Sequence, residues 1–198
     1  MALTDYFKSI LGSASNNSWN FSLHDIYPSP LPQLRHLDAP FTEQEIVDAF
    51  HGMNINASPG PDGFGPAFYR KYWNTVKHLV FDLFRDFHAQ KTDTAAINRA
   101  HIILLPKKEG ARTPDAFRPI SLQNCSIKAI AKVLTNRLKP LIPLLVNQDQ
   151  TGFLSGRSIS ENFVYAADLL NCCHKRKAPT IVIKLDFRKA FDSPRVMG

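Results

Sequence analysis

The chain has 198 residues, 44% of them hydrophobic and 21% charged, with 24 Lys and Arg against 17 Asp and Glu for a formal net charge of +7. This composition excludes a disordered polar tail and a fibrous repeat, and a globular chain of this size can bury roughly 70% of its unfolded surface. Three cysteines, two of them adjacent, exclude a disulfide framework and are read as reduced and structural.

Residues 1–40, rich in Ser, Asn and Pro, read as a weakly ordered lead-in. "FTEQEIVDAF" then predicts a helix, with Thr42 as N-cap and Glu45 three residues on to close a capping box. "ASPGPDGFGP", residues 57–66, is a dense turn segment in which proline fixes φ and glycine opens conformations closed to other residues. Phe68, Tyr72, Val76, Val80, Phe84 and Phe87 recur near the helical period and predict one long amphipathic helix. Asp82 and Asp86 share a face of it with Arg85 beside them, which is a solvated face rather than a metal site.

"AHIILLP" (100–106) and "RPISL" predict two strands joined as a hairpin across the charged turn "KKEGARTPDAF". Residues 125–142 read as a helix with Ile127, Ile130, Ala131, Leu134, Leu138 and Leu141 as its buried stripe and Lys128, Lys132, Arg137 and Lys139 among and around it. "NQDQTGFLSGRS" is a loop, residues 160–174 a further helix, and "TIVIKLD" a strand covered on both faces. Cys172, Cys173 and His174 lack the spacing of a metal site. The longest apolar runs fall far short of the ~18 residues of a membrane span. The N-terminus also lacks the basic and apolar regions of a secretory signal. An intracellular protein, nuclear or cytoplasmic, with no membrane partner is expected.

Two clusters carry chemistry. Lys107 and Lys108 follow the first hairpin strand and Arg118 opens the second, so the hairpin can bring them to one bound phosphate. The same cations suit an edge protected against aggregation. Asp186 ends the apolar strand at 181–186, where a carboxylate can hold Mg²⁺ or serve as a cap or ion-pair partner.

The stretches "SPGPDGF", "IILLPKK", "FRPISLQNCSIKAIAKVLTNRL", "NQDQTGFLSGRS" and "IKLDFRKAFD" stand in this order. Together they resemble the reverse transcriptase of non-LTR (LINE-type) retrotransposons, in particular those of plants. The resemblance runs over about residues 38–193. It implies an α+β fold, a partial right-hand polymerase of fingers plus the first part of the palm, helix-rich with a small mixed sheet. The implied divisions are the lead-in at 1–40, fingers and fingers–palm helices at 41–178, and the first palm strand at 179–198.

Carried over by position, Asp186 resembles the first catalytic aspartate and ligand of two Mg²⁺ ions. Phe191 resembles the steric gate that excludes a ribose 2′-OH. Arg118 resembles the fingers arginine that clamps the incoming triphosphate, with Lys107 or Lys108 as the neighbouring contact. Gln150, Gly152, Phe153 and Arg157 match a block near the template. The implied partners are an RNA template, a DNA primer and dNTPs, and the implied reaction is phosphoryl transfer by two metal ions.

Such a centre needs further carboxylates, and these 198 residues contain no Asp-Asp pair. The reading is therefore a truncated or frame-interrupted retrotransposon product, inactive by itself. Its rivals are a nucleic-acid-binding module without catalysis and a gene-model fragment that never folds stably.

Overall fold

The computed structural model describes residues 2–10, 32–183 and 185. Contacts divide the chain into two compact units, Leu23–Leu141 and the combination of Met1–Ser22 with Ile142–Gly198. The division follows Leu141.

The larger unit is built on helix α2 (Glu43–His51), which starts as the sequence predicts. The Thr42 hydroxyl accepts from the Glu45 N–H at 3.2 Å, and the Glu45 carboxylate accepts from the Thr42 N–H at 2.9 Å. These reciprocal bonds satisfy two donors that a helix start otherwise leaves unpaired. Ile46, Ala49 and Phe50 form the inner face of α2, and Val80 and Phe84 supply the facing layer.

The aromatic spacing predicts one long helix here, but the chain makes two, α3 (Pro66–Lys71) and α4 (Trp73–His88), parted at Tyr72. The break is cheap because its backbone stays bonded. The Tyr72 N–H donates to Phe68 O at 3.0 Å, and Tyr72 O accepts from Thr75 and Val76 at 2.9 and 3.1 Å. Tyr69 and Trp73, on either side, both pack against Phe50, with ring centroids 4.9 and 5.3 Å away. Arg85 pairs with Asp82 at 2.8 Å on the exposed side of α4, the solvated face expected there.

A short helix α5 (Thr94–Ile97), capped by Asp93, leads into strands β1 (Ala100–Pro106) and β2 (Phe117–Gln123). The two pair antiparallel from Ala100↔Gln123 to Pro106↔Phe117, and this is the sheet found among the described residues; it is not mixed.

Helix α6 (Cys125–Leu138) closes the core on a face that only partly matches the predicted one, sharing Ile130 with it, and Leu141 just beyond the helix is buried as expected. Cys125, Ala129, Ile130, Val133 and Arg137 are buried, whereas Leu134 and Leu138 are exposed. The stripe therefore runs at steps of four and carries a guanidinium inward. Burial pushes the Cys125 thiol up to about 11, so at neutral pH it stays a protonated, inert core group.

The turn at 57–66 is stitched to the start of α6. Asn124 Oδ1 accepts from the Asp62 N–H at 3.2 Å, and Lys128 Nζ donates to Ser58 O at 2.8 Å. Gly60 is what permits this approach. A Cβ there would lie 2.4 Å from the backbone N and the Oδ1 of Asn124. Gly60→Ala is expected to lower unfolding free energy by about 1–3 kcal/mol, because backbone rather than a flexible side-chain tip must yield. Urea unfolding followed by far-UV circular dichroism measures it, and coincident wild-type and variant curves would show that the joint gives way freely.

In the smaller unit the expected lead-in begins as helix α1 (Ala2–Ile10), and Pro32–Asp38, assigned to the larger unit, is a 3-10 turn. Leu3, Tyr6 and Phe7 already stood at helical spacing in the sequence. The unit continues with the single-turn helix α7 (Ile142–Leu145) and helix α8 (Ile159–Lys175). No residue of α8 is buried among the described residues. The strand expected at 181–186 is absent over its described part, since residues 181–183 pair with no strand. Ile181, Val182 and Ile183 are exposed rather than covered on both faces. A β-branched run becomes a strand only by pairing, and it has no paired neighbour among the described residues.

Candidate functional site

The hairpin places the predicted cations by register. Arg118 lies opposite Leu105, and Pro106 opposite Phe117. One further backbone bond, from the Lys107 N–H to Ala116 O at 2.8 Å, extends the ladder past the strand ends. Counting along that ladder puts positions 107 and 118 on the same side, as diagonal neighbours about 7–8 Å apart. Ile103, Leu105 and Ile120 stand on that side too and are exposed, so the surface is apolar with a basic end.

The three cations differ in availability. Lys107 Nζ donates to the Asp115 carbonyl at 2.7 Å, which anchors the turn. Lys108 and Arg118 are exposed, and neither side chain has a hydrogen bond or ion pair among the described residues. Arg118 therefore keeps its planar donor fork for an external anion.

The second predicted group lies in the loop at 147–158 of the smaller unit. Arg157 does not point its charge outward. Its Nη1 donates to the carbonyls of Asn147 and Gln150, the latter at 2.6 Å, and its Nη2 donates to Val146 O at 3.1 Å. These groups lie at and just beyond the end of α7, where helix carbonyls lack intrahelical donors. The resemblance implies a nucleic-acid contact for Arg157; in the structure its guanidinium closes its own loop.

Gln150 contributes its backbone carbonyl to Arg157, and its Nε2 is 3.5 Å from Gly152 O. Gly152 is in open surroundings, with only Gln150 Nε2 near a would-be Cβ at 3.7 Å, so close packing does not demand glycine there. Phe153 is 98% exposed. Asn162, which the motif reading passed over, ties α8 to this loop by donating from Nδ2 to Asp149 O at 2.6 Å. Its signal was only that an amide sits one turn into the helix after the loop.

Asp186 and Phe191 lie outside the described residues. Among the described residues no three His, Cys, Asp or Glu side chains gather to hold a metal ion. Likewise, no described helix is long and apolar enough to cross a membrane. The hairpin cations belong to the larger unit and the 147–158 loop to the smaller one.

Residues 105–196 match the family described as reverse transcriptase (RNA-dependent DNA polymerase). The match begins at the end of β1 and takes in every candidate residue named above. The chain is 32% identical over 163 residues to the transposon TX1 uncharacterized 149 kDa protein of Xenopus laevis, covering 79% of this chain and 12% of that protein. It is 29% identical over 154 residues to the retrovirus-related Pol polyprotein from type-2 retrotransposable element R2DM of Drosophila melanogaster, covering 77% and 14%. A third relative, the retrovirus-related Pol polyprotein from type-1 retrotransposable element R2 of Nasonia vitripennis, is 24% identical over 163 residues, covering 81% and 15%. The chain thus spans between 12% and 15% of the length of these three relatives.

Proposed function

We propose that the chain, which is similar to the reverse-transcriptase sequence of non-LTR (LINE-type) retrotransposons, forms the nucleotide- and template-facing part of an RNA-directed DNA polymerase. Its partners in this reading are an RNA template, a DNA primer and dNTPs, and its source is a plant element. The exposed Arg118, whose side chain is unengaged among the described residues, at the basic end of the hairpin carries the proposal. A guanidinium fork can take two oxygens of a triphosphate, while Lys108 adds a point charge. Lys107 holds the turn with one donor and has others to spare.

Reverse transcriptases use a divalent metal, here proposed as Mg²⁺ with Asp186 as one ligand and Phe191 as the gate against ribonucleotides. What the hairpin contributes is positioning: it neutralises phosphate charge and holds the nucleotide in place. These 198 residues contain no Asp-Asp pair. They are therefore expected to bind without extending a primer, and template-dependent synthesis abolished by Asp186→Asn would overturn that expectation.

Binding itself is tested with a labelled primer–template over a salt series. Charge-neutral substitution of Lys107, Lys108 and Arg118 together should weaken binding and flatten the slope of log K against log salt. Each lost phosphate contact is worth about 0.7–0.9 in slope. Singly, Arg118→Ala and Lys108→Ala should exceed Lys107→Ala, whose amine already serves the turn. Unchanged affinity and slope in the triple variant would remove the hairpin from the site.

A further inference from the structure

Among the described non-glycine residues, three have positive φ: Gln90 (56°), Phe153 (62°) and Lys177 (52°). Gln90 and Lys177 follow the caps of α4 and α8, where a left-handed residue commonly ends a helix. Their N–H groups return to Phe87 O and His174 O at 3.1 and 3.0 Å. Phe153 ends no helix. A bulky residue held at such a φ is a true outlier and carries strain that the surroundings must impose.

The surroundings do impose it. Arg157 gathers three carbonyls, Asn162 holds a fourth, and Thr151, two residues before Phe153, is buried. A braced loop therefore displays an aromatic ring at 98% exposure. An exposed ring gains nothing from its own fold, so both of its faces are free for a flat partner.

We propose that Phe153 is a stacking platform for an unpaired nucleobase of single-stranded RNA, and that Arg157 is a positioning residue that holds the loop presenting it. This rests on the reading above that the chain faces a template. It goes further by assigning the loop a base rather than a phosphate. The loop's own guanidinium is committed to carbonyls, which leaves a π-face as its contact surface. Stacking on aromatic side chains is the usual way of holding unpaired bases without sequence preference.

The probe is a single-stranded RNA oligonucleotide with one 2-aminopurine, titrated into the full chain. Phe153→Ala should weaken binding about 5- to 150-fold, as loss of one base–aromatic stack does. The salt slope should not change, since no phosphate contact is removed. Phe153→Trp should retain affinity and quench the probe. Phe153→Gly should lose affinity while its thermal midpoint stays equal or rises, because glycine relieves the positive φ. Arg157→Gln should weaken binding, and combining it with Phe153→Ala should add nothing.

If wild type binds RNA and Phe153→Ala binds equally, stacking is wrong while the wider reading stands. A wild type that binds no RNA at low salt overturns both. Additive effects of the two substitutions would make Arg157 a direct contact and overturn its positioning role. A fall in thermal midpoint for Phe153→Ala that tryptophan does not rescue would mean the ring packs within the fold, which also ends the proposal.

Discussion

Arg137→Ala is expected to remove about 3–5 kcal/mol of unfolding free energy, the cost of breaking one side of a buried charge pair. Arg137 is 7% exposed on the inner face of α6. Its Nε and Nη2 donate to the two Glu45 oxygens at 2.6 and 2.8 Å. Nη1 donates to Leu37 O and Ala39 O at 3.2 and 2.6 Å, and Nη2 also reaches Pro40 O at 2.9 Å. The guanidinium carbon lies 4.6 Å from the Phe41 ring centroid, and Phe41 in turn packs edge-on against Phe84 in the core.

One side chain thus joins α6, the cap of α2 and residues 37–40. Alanine would strand a carboxylate and three carbonyls with too little water to replace the lost donors. Arg137→Met keeps most of the packed stem and should recover only the smaller, apolar part of the loss. In a double-substitution cycle Glu45→Gln should cost less on the Arg137→Met background than on wild type. Denaturant unfolding decides the matter, and a loss below about 1 kcal/mol for Arg137→Ala, the level of an exposed pair, would mean that the clasp is solvated.

This clasp shows where sequence reasoning stops. The capping box at Thr42 and Glu45 was legible because its parts lie three residues apart and follow a local rule. The hairpin was legible for the same reason, as two apolar runs across one turn. That Arg137 turns into the core was not legible, because lone charges avoid cores and the group that makes its burial tolerable lies 92 residues away. The helical stripe of α6 was legible only in part: Ile130 and Leu141 are buried as expected, while Ala131, Leu134 and Leu138 are exposed.

Arg157 and Phe153 tell a similar story within one loop. A motif marks both positions, but only the backbone shows that the cation turns inward and the ring outward. The strand expected at 181–186 failed for another reason. A helix can be argued from one segment, whereas a strand depends on a second segment that composition cannot reveal. The hairpin cations stayed legible, since exposed charge on a short turn needs no distant partner to fix it.

The same ion pair makes stability depend on acid. Hydrogen bonding from Arg137, reinforced by the Thr42 N–H and hydroxyl and opposed by burial, lowers the Glu45 pKa from 4.5 to about 2. In the unfolded chain the carboxyl titrates near its ordinary value, so between about pH 4.5 and 2 the unfolded state binds the proton first. The pair's contribution is therefore complete above about pH 4.5, falls as pH drops and is gone below about 2. Glu45 keeps some solvent contact, with its side chain 31% exposed, so the linked loss is put at about 2–3 kcal/mol. Other carboxylates also titrate in this window, and Glu45→Gln separates them. It removes this one proton site and retains the oxygen that accepts from Arg137. The stability gap between wild type and Glu45→Gln, measured by urea unfolding from pH 7 to 2.5, should narrow steadily below pH 4.5. Parallel curves across that range would mean that the Glu45 proton is bound equally in both states, and that Arg137 holds the carbonyls of residues 37–40 without holding the carboxylate's charge.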